Sequence, residues 1–179
     1  MKKHIWGLLS IGLLLGGIAH ADFYAGAGIG GSFNGGSSYN QNGTSSFKNS
    51  TMWSLAGGYE APLPLLDVRG EVEYLHTRPK VKSGGTKQLD GLFLNGYADI
   101  PLIPMIDPYV GLGVGFSRFD HDNSFAIQGM LGMEYELPFA PVAISGEYRY
   151  LKINETTGKV NRESKYHTNI LMLKARYMF

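Results

Sequence analysis

Charged residues of both signs recur at every second position in several short segments of the chain. The set comprises Arg69, Glu71, Glu73, Glu134, Glu147, Arg149, Lys174 and Arg176. Residues two apart share one face of an extended strand, where carboxylates and cations can pair or can move protons. We favour a buried network of ion pairs and hydrogen bonds, and we expect Glu147 to pair with a cation of the last segment or with neighbours of Arg149 across the barrel. A path for protons or ions through the same residues is the alternative.

The triplet Asp120-His121-Asp122 is a second candidate for chemistry. A carboxylate beside a histidine can orient the ring as a base or help to hold a metal ion. Three adjacent residues in a polar connection are more often simply solvated, and the sequence has no ligand spacing as specific as HExxH. We therefore expect no enzymatic activity and no cofactor.

The elements that must position these side chains are strands, because apolar and small or polar residues alternate with period two. Eight segments of about 10 residues show this pattern, the length that a tilted membrane strand requires. They begin near Phe23, Trp53, Val68, Leu92, Tyr109, Phe125, Val142 and Leu171. The charges lie opposite the aliphatic and aromatic face, which is typical of a narrow barrel whose apolar face meets lipid. A soluble barrel or sandwich, with charges toward water, is the alternative.

The connections between the segments are of two kinds, which alternate along the chain. Three are rich in proline and short: Ala61 to Leu65, Pro101 to Pro108 and Leu137 to Pro141. Four are polar: Asn34 to Asn49, Pro79 to Thr86, Asp120 to Asn123 and Asn154 to Lys165. This asymmetry is expected of outer-membrane barrels, with the proline turns in the periplasm. We predict an all-β fold, an eight-stranded antiparallel up-and-down transmembrane β-barrel.

The N-terminus has the three parts of a secretory signal. Lys2 and Lys3 precede an apolar run from Ile5 to Ile18, and Ala19-His20-Ala21 offers a cleavage site. We therefore predict a signal peptide at residues 1–21, a barrel domain at 22–179 and location in the bacterial outer membrane. A retained anchor is the alternative. The formal net charge of +1 argues against binding to nucleic acid.

The last strand, Leu171-x-Leu173-x-Ala175-x-Tyr177-x-Phe179, resembles the C-terminal signature of outer-membrane proteins. Other patches are similar to the small OmpA-like and opacity-type barrels, among them Phe23-Tyr24-Ala25-Gly26-Ala27-Gly28 and Gly146-Glu147-Tyr148-Arg149-Tyr150. The resemblance implies delivery to the barrel assembly machinery, with Tyr177 and Phe179 as the assembly signal. It does not imply attachment to the cell wall, because the chain ends at the barrel.

Two classes of function remain open from the sequence. The first is a structural, surface-exposed barrel without a large open pore, which supports membrane integrity or displays its loops as a surface antigen or adhesin. The second is porin-like transport of protons, ions or small solutes. The expected partners are outer-membrane lipid, lipopolysaccharide and surface ligands of hosts or phage. Candidate contacts to lipopolysaccharide phosphates are Lys80, Lys82, Lys159, Arg162 and Lys165.

Overall fold

The computed structural model describes residues 22–39, 43–46, 50–63, 65–77, 89–100, 106–119, 122–156 and 163–179. These residues form nine strands. They are β1 (Asp22–Tyr39), β2 (Gly43–Ser46), β3 (Ser50–Pro62), β4 (Asp67–Thr77), β5 (Leu89–Asp99), β6 (Ile106–Phe119), β7 (Asp122–Glu136), β8 (Val142–Thr156) and β9 (Glu163–Met178). Within these ranges no helix is long and apolar enough to cross a membrane.

Eight of the strands close into a barrel. Each strand from β3 to β9 pairs antiparallel with its predecessor in the ring, and β1 pairs with both β3 and β9. The closing ladder runs from Tyr24 opposite Met178 to Tyr39 opposite Ser164. The remaining strand, β2, is short and forms an antiparallel hairpin with the end of β1. The predicted eight-stranded antiparallel up-and-down barrel is therefore confirmed.

The barrel has two different ends. We call the end with the connections β3–β4, β5–β6 and β7–β8 the turn end, and the opposite end the loop end. Several predicted connections were drawn too long. Pro62 and Ile106–Pro108 lie within strands, β8 runs to Thr156, and β9 begins at Glu163. The predicted connection from Asn34 to Asn49 contains the end of β1 and all of β2. Backbone pairing continues beyond the apolar segments, because ladder hydrogen bonds do not require an alternating side-chain pattern.

The outward face of the barrel is apolar and uncovered. Leu112 is 77% exposed and Phe116 is 68% exposed, although both are large hydrophobic residues. Aromatic residues occupy both margins of this face. Phe23, Tyr135, Phe139, Tyr177 and Phe179 lie toward the turn end, and Trp53, Phe116 and Phe125 toward the loop end. An apolar band between aromatic girdles matches a bilayer, whereas water would make it an aggregation site.

The inward face is filled by side chains that glycines accommodate. A Cβ on Gly132 would lie 2.7 Å from Cε1 of Tyr109 and closer still to Cζ of that ring, so only a glycine lets the ring lie against the wall. Tyr24 lies over Gly58 in the same way. Polar and charged residues fill the turn half of the lumen, and the loop half holds an apolar cluster together with buried hydroxyl groups such as those of Ser32, Ser50 and Thr77. That cluster comprises Met52, Leu75, Leu89, Phe93, Ala126, Leu151, Ile153, Ile170 and Met172.

Candidate functional site

All eight charged residues predicted from the alternation point into the lumen. Seven are buried, with exposed fractions from 0% at Glu73 and Arg149 to 6% at Arg176. The Lys174 side chain is 11% exposed. The strands place them there because odd and even positions of a β-strand face opposite sides, and the neighbouring apolar residues face outward. Cross-strand neighbours of opposite sign then come within contact distance.

Arg149 is the centre of the network. Its Nη1 and Nη2 donate to the two oxygens of Glu73 at 2.8 and 3.1 Å. Its Nε and Nη2 donate to Glu147 Oε1 at 3.0 and 2.6 Å. Nη1 also donates to Gln128 Oε1 at 3.1 Å. The fully buried guanidinium therefore uses all three nitrogens, which offsets the large cost of removing its charge from water.

A lysine and a group of tyrosines extend this cluster toward the turn end. Lys174 Nζ lies 3.3 Å from Glu71 and 3.8 Å from Glu147. Tyr97 donates its hydroxyl to Glu71, and Tyr109 donates to Glu147, both at 3.1 Å. Glu147 thus contacts Lys174 of the last strand, as expected, but its shorter contacts are to Arg149 on its own strand. The tyrosine hydroxyls and the Lys174 ammonium group together provide hydrogen bonds to the two carboxylates, whose burial without partners would cost free energy.

A second ion-pair cluster lies nearer the turn end. Arg69 binds Asp99 in a bidentate fashion, with Nε and Nη2 at 2.7 and 2.6 Å from the carboxylate oxygens. Arg69 Nη1 also lies 3.5 Å from Glu134. Arg176 donates from Nε to both oxygens of Glu134 at 2.8 and 2.9 Å, and it pairs with Glu60. Asp99 and Glu60 were missed from the sequence, although both continue the inward alternation of their strands.

The two clusters leave little free space between them. A cavity of about 10 Å³, bordered by Arg69, Glu71, Glu134 and Arg176, has room for about one water molecule. The network joins side chains from strands on opposite sides of the ring, so it spans the lumen and does not only cover the wall. Its chemistry is therefore the mutual neutralisation of buried charge.

The apolar filling of the loop half was also missed. Leu75, Leu151 and Ile170 are at most 1% exposed and lie on the same inward faces that carry charges nearer the turn end. The signal was present in the sequence, because the inward series in β8 reads Glu147, Arg149, Leu151 and Ile153. Following the alternation to the end of each strand would have revealed it. Among the residues that the structure describes, this apolar layer lies between the loop end and the charged residues of the lumen.

A polar cluster of β4 and β5 lies outside the lumen, on the outward face at the loop end. His76 of β4 and Asp90 of β5 are direct partners in the register, with Nδ1 2.7 Å from Oδ1. The Tyr74 hydroxyl donates to the same oxygen at 2.6 Å. The Trp53 ring packs 5.2 Å from the His76 ring. The sequence shows His76 near a strand end but shows no partner, because pairing it with Asp90 requires the register of the β4–β5 hairpin.

The remaining predicted residues are placed as follows. Tyr177 and Phe179 face outward at the turn end with their ring centroids 5.2 Å apart, and the Phe179 amide donates to the Phe23 carbonyl at 2.9 Å. Lys165 lies in β9 opposite Asn154. The predicted contacts Lys80, Lys82, Lys159 and Arg162 and the residues Asp120-His121 lie outside the described residues, as does the predicted signal peptide at 1–21.

A sequence comparison identifies the family of this closed barrel. Residues 8–179 match the family described as outer membrane protein beta-barrel domain. The chain belongs to this family. Membership and the closed barrel imply the bacterial outer membrane as its location, while cleavage after Ala21 stays a prediction. No protein of curated function matches the sequence significantly.

Solved structures of outer-membrane barrels share the fold. Neisserial surface protein A (NspA) aligns with 21% identity and a TM-score of 0.63, covering 89% of this chain and 99% of that one. Ail, the attachment invasion locus protein of Yersinia pestis, aligns with 14% identity and a TM-score of 0.55, covering 88% and 99%. The outer membrane enzyme PagL aligns with 11% identity and a TM-score of 0.54, covering 84% and 97%. At these identities the likeness shows the fold alone, and the fold is shared by an enzyme and a surface protein.

Proposed function

We propose that this protein is a non-enzymatic, non-conducting barrel that strengthens the outer membrane and displays its loop end at the cell surface. The observation that carries the proposal is that side chains fill the lumen at two levels, one charged and one mainly apolar. A network of ion pairs joins strands across the turn half, and an apolar cluster with a few buried serine and threonine hydroxyls fills the loop half. A barrel built to transport solutes would keep a continuous polar path.

The charged layer favours a structural role over a conducting one. Each of its cations bonds to at least one carboxylate, and Arg149 bonds to two. An ion or a proton that moved through this layer would have to break short contacts in a region of low dielectric constant, where unpaired charges cost several kcal/mol. The apolar layer adds a second barrier. Transport of protons, ions or small solutes is therefore the less favoured function.

Display follows from the shape of the two ends. β1 and β9 remain paired as far as Tyr39 and Ser164, and β2 folds back antiparallel along the end of β1 at the loop end. Rigid strands that carry connections beyond an apolar band are a common way to present binding loops. We propose lipopolysaccharide, host molecules and phage as the surface partners, and the barrel assembly machinery as the partner during insertion.

Labelling of single cysteines on intact cells tests the display. The chain contains no cysteine, so each introduced thiol is unique. Ser83→Cys lies in the connection between β4 and β5, and Phe139→Cys lies at the turn end, where the native ring is 99% exposed. A membrane-impermeant maleimide should label only the Ser83→Cys protein until the cells are broken. Labelling of Phe139→Cys alone on intact cells would refute the proposed orientation.

A further inference from the structure

A row of polar side chains crosses the outward face of the barrel at the loop end. The register places Trp53 opposite His76, His76 opposite Asp90, and Asp90 opposite Arg118. Phe116 and Val114 continue the outward series of β6 below Arg118, and both are exposed. The row therefore lies at the margin of the apolar band, level with the aromatic girdle. In the outer membrane this is the depth at which lipid head groups begin.

The histidine of this row is held in a fixed orientation. Its Nδ1 bonds to Asp90, whose carboxylate is also held by the Tyr74 hydroxyl, and its ring packs against Trp53. His76 is only 8% exposed. Nδ1 is therefore committed to Asp90, while Nε2 makes no hydrogen bond to any residue that the structure describes. With Nδ1 held by Asp90, Nε2 is the ring nitrogen that is left for a ligand.

The charges of the row favour an anion as that ligand. A protonated imidazole donates from both nitrogens, so Nε2 can donate while Nδ1 remains on Asp90. Arg118 is exposed and forms no ion pair within the described residues. It lies two strands from His76, about 10 Å at the backbone by the usual strand spacing, and a long arginine side chain can reach back over part of that distance. Asp90 is already engaged by His76 and Tyr74, and Arg118 lies on its other side in the register.

We propose that His76 and Arg118 form a binding site for the phosphate group of a membrane lipid. Trp53 and Tyr74 place the site at the level of the lipid head groups, and the hydrogen bond that His76 Nδ1 donates to Asp90 orients the imidazole toward them. The inference relies on the proposed function only for which leaflet the loop end faces. The site itself can be tested in detergent, where orientation in the membrane has no effect on the result.

Trp53 provides a direct spectroscopic probe. The chain has two tryptophans, Trp6 and Trp53, so in a Trp6→Phe background all indole emission comes from the ring that packs on His76. The folded protein in an uncharged detergent is titrated with short-chain phosphatidic acid. The parallel titrations use diacylglycerol of the same chain length and inorganic phosphate. We expect a saturable change in Trp53 emission with phosphatidic acid and none with the other two.

Variants separate the site from general lipid contact. His76→Gln and Arg118→Gln should each weaken the binding of phosphatidic acid about tenfold, the loss expected for one charge-assisted hydrogen bond. His167→Gln is the matched control, because His167 stacks on Tyr150 near the loop end but contacts no carboxylate among the described residues. It should bind like the parent. Arg118 is exposed, so its variant tests the site even if His76→Gln does not fold.

Three results would overturn the proposal. An equal response to diacylglycerol would show that the phosphate is not recognised, and an equal response to inorganic phosphate would remove the lipid as its source. Unchanged binding by Arg118→Gln together with unchanged binding by folded His76→Gln would remove the assigned residues. Labelling of loop cysteines on intact cells reports on the proposed function separately, so the two can fail independently.

Discussion

Removing Arg149 should destabilise the barrel far more than neutralising the acid beside it. The cluster around Arg149 and Lys174 contains three carboxylates, those of Glu71, Glu73 and Glu147, but only these two cations among the described residues. Glu147→Gln leaves two carboxylates facing two cations and keeps the side-chain volume. Arg149→Met leaves three carboxylates facing one cation, and Glu73 then loses its only ion pair within the described residues. Charge balance therefore predicts that removing Arg149 costs more stability than neutralising Glu147, although the two residues form one ion pair.

The size of the asymmetry follows from the burial of the pair. Breaking a buried ion pair by removing one partner costs about 3–5 kcal/mol. Arg149 is fully buried and bonds to two carboxylates, so we expect Arg149→Met to lower the free energy of unfolding by about 5 kcal/mol, at the upper limit of that range. Glu147→Gln removes a charge but retains a hydrogen-bond acceptor for Arg149, and we expect a loss of about 1–2 kcal/mol.

Urea unfolding in lipid vesicles measures both values, after a check of heat-dependent gel mobility that each variant has folded. The double variant Glu147→Gln/Arg149→Met should be more stable than the sum of the two single losses predicts, because it removes a carboxylate that Arg149→Met leaves unpaired. The reasoning is refuted if Arg149→Met lies within about 1 kcal/mol of the parent, well below the cost of a broken buried pair, or if Glu147→Gln costs more than Arg149→Met.

Three further predictions concern the wall of the barrel. Folded and boiled samples should migrate differently on a detergent gel, because a closed ladder leaves no strand edge for detergent to open; identical migration would contradict this. Gly132→Val should destabilise the barrel by about 1–3 kcal/mol through overpacking against Tyr109, whereas Gly146→Val, whose Cβ meets nothing within 4 Å, should unfold at the parental urea concentration. Phe179→Asp should lower the yield in outer-membrane fractions more than a deletion within residues 40–42, which connect β1 and β2, and equal yields would remove the assembly signal.

The sequence predicts the barrel well because each strand carries a complete pattern of its own. In β8, Tyr148 and Tyr150 face outward while Glu147 and Arg149 face inward, and period two alone predicts this division. Strand order also follows from the sequence, since consecutive segments with short connections pair as neighbours. Eight strands then enclose a space just wide enough for side chains, so charges on the inner face had to pair.

The parts that sequence reasoning missed depend on register or on backbone pairing. Asp90 becomes the partner of His76 only when β4 and β5 are aligned residue by residue. Gly43–Ser46 carries no apolar alternation, and it is a strand only because it pairs with β1. The apolar layer around Leu75 and Leu151 was missed for a different reason. The charged residues nearer the turn end suggested that the whole inner face was polar, although the alternation continues past them.

Single-channel recording in planar bilayers tests the closure of the lumen most directly. The protein isolated from outer membranes is added to a bilayer in concentrated potassium chloride, with an open porin as the positive control. We expect no discrete conductance steps from the parent, because the network around Arg149 and the apolar cluster around Leu75 lie one above the other in the same lumen. Steady open-channel currents from the folded parent would contradict it and would assign the protein to transport.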